Sequence, residues 1–387
     1  MNEPAQTTVT VAPKGLKNLV VADTQLGDVR GEEGFYHYRQ YSAIELCEKR
    51  TIEDVWYLMF EGRLPSLAER EAFIKEAEPL REIPPDVARA LPVIAQAGER
   101  FVPLDALRTA VSLTAYTLDF KPVLDCDAET LRANAMQLCA LTPTLLTALY
   151  RLNRGQRPVP PHPELPYAAN YLYMLTGSEP EPRHARAIEQ YLTSTIDHGF
   201  NASTFTARVV TSTGADIGAP ITAAIGALSG PLHGGAPSRA LEMLDLIGRP
   251  DNADAWIRDA VLRGKRIMGF GHRVYKTEDP RAIMLRRVAE ELGGDIVDFA
   301  ERVERTVVDV LAELKPGRRL YTNVEFYAGV VMELCAIPRS MFTPTFASSR
   351  VIGWCAHVLE QAADNVLIRP GARYTGPPPP QPVPDPA

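Results

Sequence analysis

DAETLRANAMQLCALTPTLLTALYRLNRG, residues 127–155, sets its apolar side chains at helical spacing and closes on Gly155, as a long helix does. The same period recurs on both sides of it. TIEDVWYLMFEGRLPS (51–66) opens on a T-x-x-D capping pattern at Thr51 and stops at Gly62, with Pro65 beyond. PDVARALPVIAQAG (85–98), ARAIEQYLTSTIDH (185–198) and ITAAIGALSG (221–230) read as helices. So do ADAWIRDAVLRG (253–264), DPRAIMLRRVAEELGG (279–294) and VDFAERVERTVVDVLAEL (297–314). NVEFYAGVVMELCAI (323–337) and FASSRVIGWCAHVLEQAADN (346–365) complete the set. Strand candidates are few: TVTVA (8–12) and FYHYRQY (35–41). RPVPPHPELP (157–166) is too rich in proline for a helix, and TGPPPPQPVPDPA (375–387) should be extended and mobile. The expected fold class is all-α.

Composition narrows the function. The 387 residues are 45% hydrophobic and 23% charged, an ordinary soluble balance, and the length suits two or three domains. A net charge of -7 argues against a nucleic-acid surface. No apolar run approaches the roughly 20 residues of a membrane span, and the N-terminus lacks a signal-peptide layout. Cys47, Cys126, Cys139, Cys335 and Cys355 form an odd set with no CxxC pair, which fits reduced thiols in a cytoplasm.

Chemistry could sit in three places. In SGPLHGGAPS (229–238), Gly230 and Pro231 stop one helix and the next begins near Pro237, so His233 is held in a tight turn. Gly234 and Gly235 there would let a ligand approach the backbone closely. The histidine serves either such a ligand or a backbone carbonyl. In MGFGHRVYKTEDPRA (268–282), Val274 stands where a dinucleotide fingerprint needs its third glycine, and no strand precedes. Asp279 suits the N-cap and Pro280 the first helical position, which puts Arg281 in the first turn. A cation there opposes the helix dipole at a cost of about 0.3–1 kcal/mol. Either an anion docks beneath Arg281, or Asp279 or Glu278 neutralises it. Third, Thr322 and Glu325 spell T-x-x-E, so Glu325 is either half of a capping box or a base. Arg350 and Arg369 lie among small and apolar neighbours and need partners, for which Glu360 or Asp364 would serve. His198, His233 and His272 lack metal-ligand spacing, so no metal is expected. A G-x-S-x-G elbow and a cysteine-nucleophile signature are both absent from the sequence.

Together these stretches resemble citrate synthases from about residue 15 to 376. The match is dense in YAANYLYMLTG (167–177), DHGFNASTFTARVV (197–210), GPLHGGAP (230–237), GFGHRVYKTEDPRA (269–282), NVEFYAGVV (323–331) and SSRVIGWCAHVLEQ (348–361). It is looser in GEEGFYHYRQYSAIEL (31–46), where the family has an R-G-Y-D-I-like run. The resemblance implies an all-α fold with a large domain from both chain ends (1–233 and 338–375), a small inserted domain (234–337) and a disordered tail (376–387). It implies a homodimer without metal or redox cofactor, with the site in the cleft between domains.

The roles follow from the same resemblance. Acetyl-CoA would condense with oxaloacetate to give citrate and coenzyme A. The residue matching His233 bonds the thioester oxygen, Glu325 takes the methyl proton, and His272 bonds the ketone oxygen. Arg281, Arg350 and Arg369 match the arginines that hold the oxo-acid carboxylates, Arg369 reaching across the dimer, and His198 matches a further oxaloacetate contact. Lys276 matches a cation on the coenzyme A phosphates. The backbone of Ile267, Met268, Gly269, Phe270 and Gly271 matches the lining of the adenine pocket.

One departure stands out: the family usually reads N-V-D-F-Y, and Glu325 is one methylene longer than aspartate. The actinobacterial type of second citrate synthase is similar in reading NVEF. A misplacement of about 1 Å can cost on the order of 100-fold in rate. Two alternatives therefore stay open: 2-methylcitrate synthesis from propionyl-CoA, and a weakly active relative that binds coenzyme A and oxo acid as a regulator. A citryl-CoA lyase is disfavoured, since those relatives carry extra domains.

Overall fold

The computed structural model describes residues 10–234, 237–272, 274–316 and 320–384, with the backbone alone for residues 237 and 238. Among the described residues there are sixteen α-helices and a single small sheet. The sheet is an antiparallel meander of β1 (Gly27–Arg30), β2 (Phe35–Tyr38) and β3 (Tyr41–Ser42), with Gly27 opposite Tyr38 and His37 opposite Ser42. Thus FYHYRQY is strand for most of its length. Of TVTVA, residues 8 and 9 lie outside the described residues and 10–12 form no strand. Alternation explains β2: Tyr36 and Tyr38 point inward, where their hydroxyls donate to the carbonyls of Ser194 and Thr193 at 3.0 Å each.

Local signals set many of the helices. Thr51 caps the helix Ile52–Glu61 by accepting from the Asp54 N–H, and Gly62 ends it at φ 79°. Asp127 caps Ala128–Asn153 through the Thr130 N–H at 2.7 Å. That helix is buried on every side from Leu138 to Tyr150 and packs against Phe342–Ala363, which is buried likewise from Ala347 to Val358. These two helices form the centre of the molecule. Pro237–Ile247, Ala253–Leu262, Pro280–Leu292, Asp295–Leu314 and Val324–Leu334 pack on one another.

One glycine fixes how the site is approached. A Cβ on Gly353 would lie 2.0 Å from the Ile196 carbonyl oxygen, so only glycine lets the segment Thr195–His198 lie flat on the central helix. Neither side can yield, because both clashing partners are backbone. Gly353→Ala is expected to cost about 3 kcal/mol or more of stability, which a chemical-denaturation midpoint reads directly. An unchanged midpoint would show that the two segments separate freely.

Candidate active site

The loop after Ala253–Leu262 is stitched to the start of the Val324–Leu334 helix. Gly269 and Gly271 adopt φ +79° and +85°, and between them Phe270 bridges Thr322. The Gly269 carbonyl accepts from Asn323 N–H at 2.9 Å, and the Gly271 N–H donates to the Tyr321 carbonyl at 2.8 Å. The Asn323 side-chain amide donates to the Gly271 carbonyl at 3.0 Å. From the other side the β1–β2 hairpin grips the loop: Lys276 N–H donates to the Gly31 carbonyl, and a Cβ on Gly31 would stand 2.3 Å from the Val274 oxygen.

His272 sits at the centre of this arrangement. Its Nδ1 accepts from the N–H groups of Val274 and Tyr275 at 3.0 Å each, so in the neutral ring Nε2 carries the proton. Burial, and then the Arg281 guanidinium 3.4 Å from Nε2, lower its pKa to about 4. The ring is therefore a neutral donor near pH 7.

Arg281 is neutralised locally, by Asp279 and not Glu278. Asp279 caps Pro280–Leu292 through the Arg281 N–H, then accepts from Arg281 Nε at 3.0 Å and Nη2 at 2.8 Å. The same carboxylate accepts the Val324 N–H at 3.2 Å and so ties together the starts of two helices. Both side chains are buried, and the guanidinium holds Asp279 below the usual carboxylate range against the opposing effect of burial. Arg281 also lies over the rings of Tyr36 and Tyr275, at 5.8 and 6.0 Å.

The capping-box reading of Glu325 is overturned. Asn323 is the N-cap and accepts the Glu325 N–H at 3.1 Å, while the Thr322 hydroxyl donates to Glu304 at 2.9 Å. The Glu325 carboxyl accepts no hydrogen bond from any described residue. Burial pushes its pKa up to about 7, against the pull of Arg281, Arg266 and Arg239.

His233 faces the start of Ala202–Thr211. Ser203 N–H donates to its Nε2 at 3.3 Å, and the Ser203 hydroxyl stands 2.8 Å from the same nitrogen. Since the amide can only donate, the neutral ring carries its proton on Nδ1. Trp354 Nε1 donates to Ser203 Oγ at 3.1 Å and fixes it. Gly234 is packed by the chain itself: a Cβ there would meet the Leu228 oxygen at 2.4 Å, and its carbonyl accepts from Thr343. That crowding corrects the expectation that Gly234 opens the backbone to a ligand. Gly235 lies outside the described residues.

His198 and Arg350 flank this centre. His198 Nε2 is 3.0 Å from the Tyr275 hydroxyl, its ring lies 5.7 Å from His272, and burial followed by Arg281 drives its pKa well below the usual value. Arg350 does not pair with Glu360 or Asp364. Glu360 is taken by Arg208, and Arg350 donates from Nε to the Thr195 carbonyl at 2.7 Å while lying 4.5 Å over Phe346. Its two Nη groups bond to no described residue. Arg281 is paired with Asp279, and Asp197, the buried carboxylate that acts on Arg350, is itself bonded to His357 at 3.2 Å, so the Nη groups of Arg350 are left to meet an anion.

Two expected residues stand apart. Arg369 is exposed on the coil after the last helix, beside Ile368, whose N–H is held by Ser212, and does not join the cluster within one chain. Lys276 is exposed at the outer edge of the loop. Ile267 and Phe270 are buried and Met268 half-buried, with the Gly269 and Gly271 polar groups spent on residues 321–323. Sequence reading missed Ser203, Asn323, Tyr36 and Tyr275. Only the N-cap signals of Asn201 and Asn323 could have pointed toward them.

Among the described residues no group of three or more His, Cys, Asp or Glu side chains converges as a metal site, and no helix is long and apolar enough to cross a membrane.

The family model for "Citrate synthase, C-terminal domain" matches residues 15–371. A citrate synthase of Deinococcus radiodurans is 38% identical over 94% of this chain and 95% of its own. A 2-methylcitrate synthase of Mycobacterium tuberculosis is also 38% identical, over 94% and 90%. A Thermoplasma acidophilum citrate synthase, solved as a ternary complex with carboxymethyl coenzyme A and oxaloacetate, superposes with a TM-score of 0.87 at 30% identity, covering 96% of this chain and 98% of that one. With fold, motif order and nearly the whole length in agreement, the chain belongs to the citrate synthase family.

Proposed function

We propose that the protein condenses acetyl-CoA with oxaloacetate and hydrolyses the product thioester to citrate and coenzyme A. The observation that carries this reading is Glu325: a half-buried carboxyl, released from capping, poised near neutrality at the mouth of its helix. Oxaloacetate binds first, its carboxylates held by the free Nη groups of Arg350, the open edge of Arg281, and Arg369 of the partner subunit in a homodimer. His198 adds a neutral contact. His272 donates its Nε2 proton to the ketone oxygen. Lys276 meets the coenzyme A phosphates, and the backbone of residues 267–271 lines the adenine end.

Glu325 then takes a proton from the thioester methyl while His233 Nδ1–H bonds the thioester oxygen, where negative charge gathers. The carbon so freed attacks the ketone carbon, the Nε2–H of His272 stabilises the new alkoxide by hydrogen bonding, and the proton that Glu325 removed is returned through solvent to neutralise it. Water cleaves the thioester, releasing coenzyme A as its thiol. These residues come from segments 1–233 and 338–375 on one side and 234–337 on the other, so we infer that the smaller unit closes on the larger. The return crossing falls near residue 338, just after Ala336, whose backbone adopts φ 57°. No metal or redox group enters any step. Five free thiols, four of them buried, suit a cytoplasmic setting.

A second reading, 2-methylcitrate synthesis, is supported by the relative of that name, since an acyl pocket discriminates one methylene by only about 1–3 kcal/mol. Thiol release is measured with acetyl-, propionyl- and butyryl-CoA, each with and without oxaloacetate. Acetyl-CoA with the highest oxaloacetate-dependent kcat/KM supports the main reading, and propionyl-CoA the second. Absence of oxaloacetate-dependent release with all three overturns both.

A further inference from the structure

Glu304 lies on the helix Asp295–Leu314, far in sequence from every group assigned a chemical role above. Its two oxygens hold the chain on either side of Glu325. Oε1 accepts the Thr322 hydroxyl at 2.9 Å, and Oε2 accepts the Tyr327 hydroxyl. Arg286 supports Oε2 from outside at 3.5 Å, and the Glu304 side chain is only 13% exposed. Thr322 is the residue bridged to Phe270, and it precedes the cap Asn323. One carboxylate therefore fixes the segment entering the helix and the second residue past Glu325. The Glu325 carboxyl accepts no hydrogen bond from any described residue, while its N–H is held by Asn323 at 3.1 Å, so its place is decided by the backbone beneath.

We propose that Glu304 is the positioning residue for Glu325: it clamps Thr322 and Tyr327 so that the carboxyl between them is delivered to the reacting carbon. The inference rests on the condensation reading and deepens it. With no described side chain bonded to the carboxyl, its position follows the backbone, and a displacement of about 1 Å at the base can cost on the order of 100-fold in rate. Glu304 touches no substrate and stays outside the proton transfer.

Three variants test this: Glu304→Ala, Glu304→Gln and Tyr327→Phe, each compared with the parent for thermal midpoint, kcat, KM and the pH dependence of kcat/KM for the acyl thioester. Glu304→Ala is expected to lower kcat about 100-fold, the cost of a displacement of about 1 Å, while the KM for oxaloacetate stays unchanged. Its acidic limb is expected to move to lower pH as the released carboxyl gains solvent. Glu304→Gln keeps an acceptor for Thr322 and is expected to recover most of the kcat, and Tyr327→Phe to lose less than Glu304→Ala in the same direction. A lowered thermal midpoint with kcat and the acidic limb unmoved overturns the proposal, leaving Glu304 a strut. Should the parent show no condensation, infrared titration of the Glu325 carboxyl, taken as the difference against Glu325→Gln, still decides. The same titration in parent and Glu304→Ala overturns the clamp, and a downward shift supports it although the reaction assigned above has failed.

Discussion

Glu325→Gln is expected to lower kcat roughly a thousand-fold, within the 10²–10⁴ typical of a positioned general base, with substrate KM values little changed. The same variant is expected to be more stable than the parent at pH 8. Burial raises the Glu325 pKa from its ordinary 4.5 to about 7, so the folded chain holds that proton more tightly than the unfolded chain. Its favourable contribution is fully present below about pH 4.5 and is lost as pH rises through about 7. Glutamine never ionises, so the two midpoints should differ least below about pH 4.5, draw apart between about 4.5 and 7, and keep a constant gap above 7, with the variant higher. Dead but more stable is the pattern of a side chain kept for chemistry. Because the base must be ionised, kcat/KM of the parent should rise with pH to a plateau above about 7. A variant that loses activity and stability together at pH 8 would instead mark Glu325 as structural.

Arg281→Ala is expected to show the opposite pairing, with both losses large. The arginine is one half of a buried ion pair with Asp279, and removing it leaves that carboxylate uncompensated, which typically costs about 3–5 kcal/mol. The loss should be greatest near neutral pH. Asp279 is held below the usual range in the folded chain, so the pair's contribution is present above the ordinary carboxylate pKa and fades as pH falls through the lowered one. In the variant the carboxyl is freed from its cation, and the gap from the parent should narrow in acid. Oxaloacetate KM should rise about a hundred-fold or more, as for loss of a desolvated charge partner. An oxaloacetate KM equal to the parent's in a folded variant would remove Arg281 from the substrate site.

Which of these features the sequence disclosed depended on how local their causes are. The helix at Ile52–Glu61 is legible because Thr51 and Gly62 mark both ends, and the Arg281–Asp279 pair because its members lie two residues apart. Leu67–Ala77 escaped notice because only Phe73 and Ala77 are buried, so periodicity is faint; its Ser66–Glu69 capping box was readable all the same. The T-x-x-E pattern leaves cap and base both open for Glu325, because what draws Thr322 away is Glu304, a contact between two separate helical segments. The acceptor of Arg350 is hidden from local sequence for a similar reason. Its acceptor, the Thr195 carbonyl, is 155 positions away, and Glu360 is claimed by Arg208 from 152 positions away. Tertiary contacts of that span leave no trace in local spacing. The resemblance to a family supplied what spacing could not: of the residues it names, His198, His272, Arg281, Arg350 and Glu325 act on one another in the fold, while Arg369 and Lys276 lie apart from them.

The most direct measurement is a structure of the protein with oxaloacetate and carboxymethyl coenzyme A, whose carboxylate stands in for the enolate of the thioester. The Glu325 carboxyl should lie about 2.6–3.2 Å from that group, with His233 Nδ1 on one of its oxygens. A Glu325 side chain folded back onto the N–H groups at its own helix start, with the analogue bound and out of its reach, would contradict the assignment of the base.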